Sequence, residues 1–354
     1  MIEQIQGFNN NRILMLIKES IHACSLDLKG AVVLTEAATG AYVVTPIIAA
    51  LAGAEQVFAI TKSSRYGSFE KAVNYTMQIA EYAKVSNKIN IQKYKKRKII
   101  EQADIITNSG FIRPIDTKMV SWMKPTAVIP LMYEVWEFRE KDIDINACNE
   151  RKIPVAGTNE RHPAVNLFSF LGAMVIKLLV EAEISINNSR ILLLCDNDFM
   201  PYIVYSLESK GAMVITKRNW SQKDIIDPMD AIIIALKPKD GFVLNNKCLR
   251  DIVYKNPGVL IFQFWGDVNR KLLLELGATV FPLKPAKKGH MGILPSAIGP
   301  QPIIQLQCGG LKVGELLWKS IKSGLTLEKS YKYLEKTGYG KRLTHNSNMT
   351  GMYS

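Results

Sequence analysis

The chain has 354 residues, 47% of them hydrophobic and 22% charged; this is longer than one ordinary core and globular in composition, which predicts about two domains and excludes disorder, collagen-like repeats and a coiled coil. Its apolar stretches, 41–60 and 167–180, are broken by Thr45, Pro46, Gly53 and Glu55 in one and by Lys177 in the other, so neither reads as a membrane span. A formal charge of +13 would suit a polyanion, but the one dense basic run, Lys93-Tyr94-Lys95-Lys96-Arg97-Lys98, reads as a solvated face without any nucleic-acid motif beside it, so a nucleic-acid partner is not expected.

The first residues show no basic head followed by an apolar run, so a cytoplasmic protein is expected. Five scattered cysteines, Cys24, Cys148, Cys195, Cys248 and Cys308, form no CxxC pair and suggest neither zinc nor disulfides. Apolar β-branched runs alternate with helix-length amphipathic stretches, the pattern of parallel sheets covered by helices. In the first half, strands are predicted at 31–34, 57–60, 104–107, 127–131 and 153–156, with a short one at 89–92 and a helix at 42–52 ended by Gly53. Residues 166–183 carry Leu167, Phe170, Leu171, Met174, Leu178 and Leu179 near a helical period, which predicts a helix joining two domains.

A second series follows: strands at 191–194, 212–215, 231–236, 259–264 and 279–281, with a helix at 202–210. The Gly- and Pro-rich stretch 289–302 is expected to be loop, and 303–323 a helix carrying Gly309 and Gly310 that returns to the first domain. From Gly338 the polar tail is expected to be loose. The fold class is therefore α/β, with two Rossmann- or flavodoxin-like parallel-sheet domains. Their expected bounds are 1–165 with 300–337 packed back on it, then 166–299, then the tail 338–354. The apolar faces of the 166–183 and 303–323 helices suggest a homodimer.

Several stretches carry a family likeness: IDINACNERKIPV before the joining helix, MDAIIIALKP in the second series, and GHMG before the last long helix. From about Ala103 to Gly324 the order of segments resembles the D-isomer-specific 2-hydroxyacid dehydrogenases, the formate and glycerate dehydrogenase group. The resemblance implies an NAD(P)-dependent oxidoreductase acting on a small polar acid or a derivative in an interdomain cleft, with His290 as general acid/base. The sequence departs from that family in three places. Cys195-Asp196-Asn197-Asp198-Phe199-Met200-Pro201 replaces the glycine-rich phosphate loop, Phe264-Trp265-Gly266-Asp267 lacks the substrate-orienting arginine, and 281–289 offers no carboxylate for the histidine. Two carboxylates in the first of these would repel a pyrophosphate.

In parallel α/β sheets ligands bind beyond the carboxyl ends of the strands, so polar residues there are the candidates. Glu36, Thr39 and Gly40 follow the first strand, Ser64 and Arg65 the second, Asn108 the third, Glu134 and Glu137 the fourth, and His162 the last of the first domain. These suit substrate binding, with Glu134 as a catalytic candidate beside His290. Glu134 and Glu137 are three apart and would share a helical face, where carboxylates move protons or bind an amine. Ordinary turns, solvated loops and a capping histidine are the competing readings. Asn197, Lys217, Arg218 and Lys237 are the cofactor candidates, and the basic pair at 217–218 would favour NADP over NAD. Gly289 and Gly292 are expected to let the His290 loop move. Three functions stay open: the oxidoreductase, the same frame reused for a non-redox reaction on a nucleotide or amino-acid-type ligand by a transferase or lyase, and a non-catalytic binding partner.

Overall fold

The computed structural model describes residues 9–221 and 228–344. They divide into two units, one running through Leu167 and resuming at Gly299, the other spanning Phe168–Ile298. Helix α1 (Asn10–Ala23) opens the first unit, followed by β1 (Val32–Glu36), a 3-10 turn at Gly40–Val44, α2 (Thr45–Leu51), β2 (Gln56–Ile60), α3 (Phe69–Tyr82) and β3 (Ile89–Gln92). Next come α4 (Arg97–Ile100), β4 (Ile105–Ile106), α5 (Thr117–Ser121), β5 (Ile129–Pro130), α6 (Ile145–Glu150) and β6 (Val155–Thr158). The strands are apolar on both faces because helices cover both sides of a parallel sheet.

The order is β3-β2-β1-β4, all parallel. It continues into the parallel pair β5-β6 through the Ile105–Val128 bridge and the Ile106 N–H donating to Val128 O at 2.9 Å. The chain therefore reverses its direction of winding between β1 and β4, which makes a crevice beyond their carboxyl ends.

The second unit holds α7 (Leu171–Glu181), β7 (Arg190–Cys195), α8 (Met200–Glu208), β8 (Met213–Lys217), β9 (Ala231–Ala235), α9 (Asn246–Lys255), β10 (Leu260–Trp265), α10 (Arg270–Glu275) and β11 (Thr279–Phe281). Its sheet is parallel throughout, in the order β11-β10-β9-β7-β8, with the reversal between β7 and β9. The helix expected from 166 is a 3-10 turn at Leu167–Phe170 and becomes α-helical at Leu171, because Asn166 holds a left-handed φ of 47° that no helix passes through. It packs on α8, where a Cβ on Gly172 would come within 3.1 Å of Tyr202 O.

The first unit is completed by α11 (Gln301–Lys322), α12 (Leu327–Thr337) and β12 (Gly340–Arg342). Helix α11 lies on β4, β5 and β6. Three glycines permit that approach: a Cβ on Gly309 would meet Val165 at 2.6 Å, on Gly310 Met132 at 2.5 Å, and on Gly314 Ile105 at 2.7 Å. The apolar surface of this helix, expected to serve a dimer, is thus used inside its own unit. Its buried charges are paired, as buried charges must be: Lys312 Nζ reaches Glu315 at 2.9 Å and Ser25 O at 2.8 Å, and Lys319 joins Glu315 to Asp27.

The expectation of a loose tail from Gly338 is corrected by β12, which pairs antiparallel with β6 from Gly340↔Thr158 to Arg342↔Ala156; residues 345–354 lie outside the described residues. Among the described residues no helix is long and apolar enough to cross a membrane.

Candidate functional site

Beyond the carboxyl ends of β1, β4, β5 and β6 the first unit gathers ionisable side chains. Glu36 closes β1, is 9% exposed, and accepts from the Phe111 N–H at 3.0 Å. Burial pushes its carboxyl above the usual range, against the pull of the Phe111 amide and the Arg113 charge. Arg113 pairs with Asp142 at 2.9 Å. Burial works against that charge, and Asp142, Tyr133 and Glu36 together outweigh it, so the guanidinium stays above its ordinary value. Asn108 after β4 ties β5 in place: its Oδ1 accepts from Met132 N at 2.9 Å, and its Nδ2 donates to the Tyr133 hydroxyl at 2.7 Å. Tyr133 in turn lies 3.4 Å from Asp142, and burial pushes its phenol well up.

Glu134 and Glu137 leave β5 on a 3-10 turn, Val135–Glu137, rather than the α-helical face that their spacing suggested. The turn faces Gly157 in β6, where a Cβ would sit 2.7 Å from Val135 N; only glycine lets the two strand ends come this close. Glu134 accepts from the Glu160 N–H at 3.1 Å. The Glu137 and Glu160 carboxyls act on one another electrostatically, which favours keeping a proton on one of them. Burial is the main cause that pushes Glu137 up, to about 7, with the neighbouring Glu134 charge adding to it. Glu160 is raised well above the carboxylate range by burial and by the Glu137 and Glu134 charges. Tyr42, in the turn before α2, completes the group: burial, aided by the Glu36, Glu137 and Glu160 charges, pushes it up to about 12.

The other candidates of this unit are placed differently. Thr39 donates to Tyr66 O at 3.1 Å, and Gly40 holds a left-handed φ of 64° at the start of the 3-10 turn. Ser64 forms a tight turn with Gly67, each N–H donating to the other's carbonyl, while exposed Arg65 folds over the Tyr66 ring at 4.7 Å. These four make one surface corner in which the loop after β2 closes on the turn after β1. His162 stacks on Tyr339 at 3.7 Å, and its Nδ1 accepts from Ala164 N at 3.2 Å; burial lowers its pKa. The ring is engaged in holding the chain's end against β6. Glu160, Tyr42 and Asp142 are the members of the buried group that the sequence did not single out.

In the second unit, Asn197 turns its side chain back into the loop between β7 and α8. Its Oδ1 accepts from Phe199 N at 3.1 Å, and its Nδ2 donates to Ala235 O at 2.6 Å. Asp196 accepts from Lys237 N at 2.9 Å. Lys217 ends β8, half-buried, and Arg218 follows it exposed. His290 is half-buried, with its N–H donating to Lys287 O at 2.9 Å. The expected mobility of its loop is not what Gly292 provides: that residue donates to Phe264 O at 2.9 Å, and a Cβ there would meet Gln263 O at 2.0 Å. Gly292 is a point of tight backbone packing. Its neighbour Gly289 is tied to Asp267 Oδ2 at 2.9 Å.

A dinucleotide pyrophosphate needs backbone N–H groups and glycine-sized space at this loop. Here Phe199 fills the space, 3% exposed and stacked on Trp265 at 5.0 Å. The amides of Phe199 and Lys237 are already satisfied by Asn197 and Asp196, so the residues present do not fit that group. Among the described residues no His, Cys, Asp and Glu cluster could hold a metal ion.

Among solved structures, a dipicolinate synthase chain from Bacillus subtilis is similar over 86% of this chain and 99% of its own, at 12% identity and a TM-score of 0.54. Its counterpart in the dipicolinate synthase of Bacillus halodurans is similar over 80% and 96%, at 8% identity and a TM-score of 0.51. NAD-dependent formate dehydrogenase from Staphylococcus aureus, solved in complex with NAD, is similar over 82% of this chain and 94% of its own, at 12% identity and a TM-score of 0.47. No family model and no curated protein sequence matches the chain. The structural neighbours are members of the D-isomer-specific 2-hydroxyacid dehydrogenase family, and the chain has their two-domain α/β fold. Identities this low carry the fold alone.

Proposed function

We propose that the first unit carries a small-molecule site whose chemistry is non-redox proton transfer and whose ligand is an amine-bearing, amino-acid-type molecule. The observation behind this reading is the gathering of Glu134, Glu137 and Glu160 at the carboxyl ends of β5 and β6, where the Glu160 N–H donates to Glu134 at 3.1 Å. Burial and the neighbouring charges raise two of these carboxyls, and a group poised at about 7 gives or takes a proton at neutral pH. A ligand ammonium is the group that such carboxylates receive. Arg113, whose Nη1 is engaged by Asp142, keeps further guanidinium donors for the ligand's own carboxylate. A lyase or transferase acting on an amino-acid-type substrate is the activity this arrangement suits.

The test is a thermal shift of the full chain at pH 7 with amino acids, simple amines and the matching 2-hydroxy and 2-keto acids, since a ligand that binds only the native state raises its melting temperature. At least one amine-bearing compound is expected to stabilise the wild-type chain and to lose about tenfold in affinity against Glu137→Gln, as one charge-assisted contact is removed. Stabilisation by hydroxy or keto acids with none by amines would overturn the reading.

A further inference from the structure

We infer that the nucleotide edge of the second unit has become a closed structural edge, and that this chain binds neither NAD nor NADP. Two independent features of that edge carry the inference. The first is donor occupancy. The amide that would meet a phosphate at the start of α8, Phe199 N, donates to Asn197 Oδ1 at 3.1 Å, and Met200 N donates to Asn197 O at 3.3 Å. Just beyond the neighbouring strand β9, Lys237 N donates to Asp196 Oδ1 at 2.9 Å. A pyrophosphate would have to displace the chain's own oxygens from each of these, and the Asp196 carboxylate would also repel it.

The second feature is space. Aromatic rings cluster beyond the carboxyl ends of β7 and β10, on either side of β9. Phe199 stacks on Trp265 at 5.0 Å with 29° between the rings, meets Phe264 edge-on at 6.3 Å and takes the edge of Phe168 at 5.2 Å. With Phe199 and Trp265 each 3% exposed and Phe264 fully buried, none of these three rings leaves a face on which a nicotinamide or adenine could stack.

Titration of the full chain with NAD, NADH, NADP and NADPH, followed by dinucleotide fluorescence and by thermal shift, is expected to show no binding up to millimolar concentration. Micromolar affinity for any of the four overturns the inference. Hydrogen exchange supplies a second measurement that needs no variant to fold. The Phe199 and Lys237 amides are expected to be protected in the chain alone and unchanged by added NADH, whereas free exchange at both would show that the donors are not occupied and would remove the basis of the proposal. Neither outcome bears on amine binding in the first unit, so the two readings fail separately.

Discussion

The two parallel sheets each reverse their winding once, between β1 and β4 in the first unit and between β7 and β9 in the second, and so each has the geometry that α/β proteins use for ligands. The two reversal points are filled in opposite ways. The first is ringed by Glu36, Arg113, Tyr133, Glu137, Glu160 and Tyr42, whose protonation is shifted by burial and by one another. The second is packed with Phe199, Phe264 and Trp265 and capped by its own Asp196 and Asn197. Topology decides where a crevice lies. What fills it is decided by side chains, charged groups with shifted protonation in one unit and aromatic packing in the other.

The contrast can be broken from either side. The largest effect is expected from Phe199→Ala, which removes the ring at the centre of the aromatic group and should cost about 3–5 kcal/mol of stability, as for other buried Phe truncations. Near-ultraviolet dichroism from the Trp265 environment should collapse with it; an unchanged unfolding midpoint would mean the ring is not structural. Next comes Gly157→Ala. Its Cβ would lie 2.7 Å from Val135 N, so the 3-10 turn carrying Glu134 and Glu137 must move, at about 1–3 kcal/mol for overpacking. Denaturant unfolding measures that loss, and the same variant should abolish any amine-induced thermal shift.

The third prediction concerns pH. Glu137 is raised from the ordinary carboxylate range to about 7 in the fold, so the folded state holds a proton that the unfolded chain has released. The stability this provides is complete below the unfolded pKa of about 4.3 and is lost as pH rises through about 7. Unfolding free energy should therefore fall between these limits, and Glu137→Gln should flatten the fall; a profile that rises over the same window contradicts the raised carboxyl. The smallest effect is expected at Arg65, exposed on the corner apart from the buried group. Arg65→Ala should change stability by less than about 0.5 kcal/mol and leave amine binding as it was, and a loss of binding would extend the site to that corner.

The frame was legible because buried parallel strands are written as continuous β-branched runs: 89–92 and 279–281 are found where predicted, and the other strands within a few residues. Local signals failed where the cause is distant. Nothing in Gly340–Arg342 is strand-like by composition; it is a strand because the free edge of β6 offers it backbone partners. Glu36, Asn108, Glu134 and Glu137 were readable from their place after strands, and Glu160 bears the same mark two residues beyond β6. Tyr42 and Asp142 carry no such signature, since they reach the group through a 3-10 turn and an ion pair. The sequence also showed a missing glycine loop and a missing arginine, but not that Phe199 and Trp265 meet, because nothing local records a contact between residues so far apart in the chain.

The return of α11, α12 and β12 to a sheet begun at Val32 sets the order in which this protein becomes itself during synthesis. The segment 168–298 is contiguous and leaves the ribosome whole, able to condense while the rest is still being made. The first unit must wait. Until residues 301–342 emerge, the faces of β4, β5 and β6 that meet Gly309, Gly310 and Gly314 lack their covering helix, and β6 keeps an unpaired edge of the kind that recruits foreign strands. A nascent chain stalled before Gln301 would thus display a finished second unit and an apolar, half-built first one, which makes the synthesis of residues 301–342 an interval in which a chaperone matters.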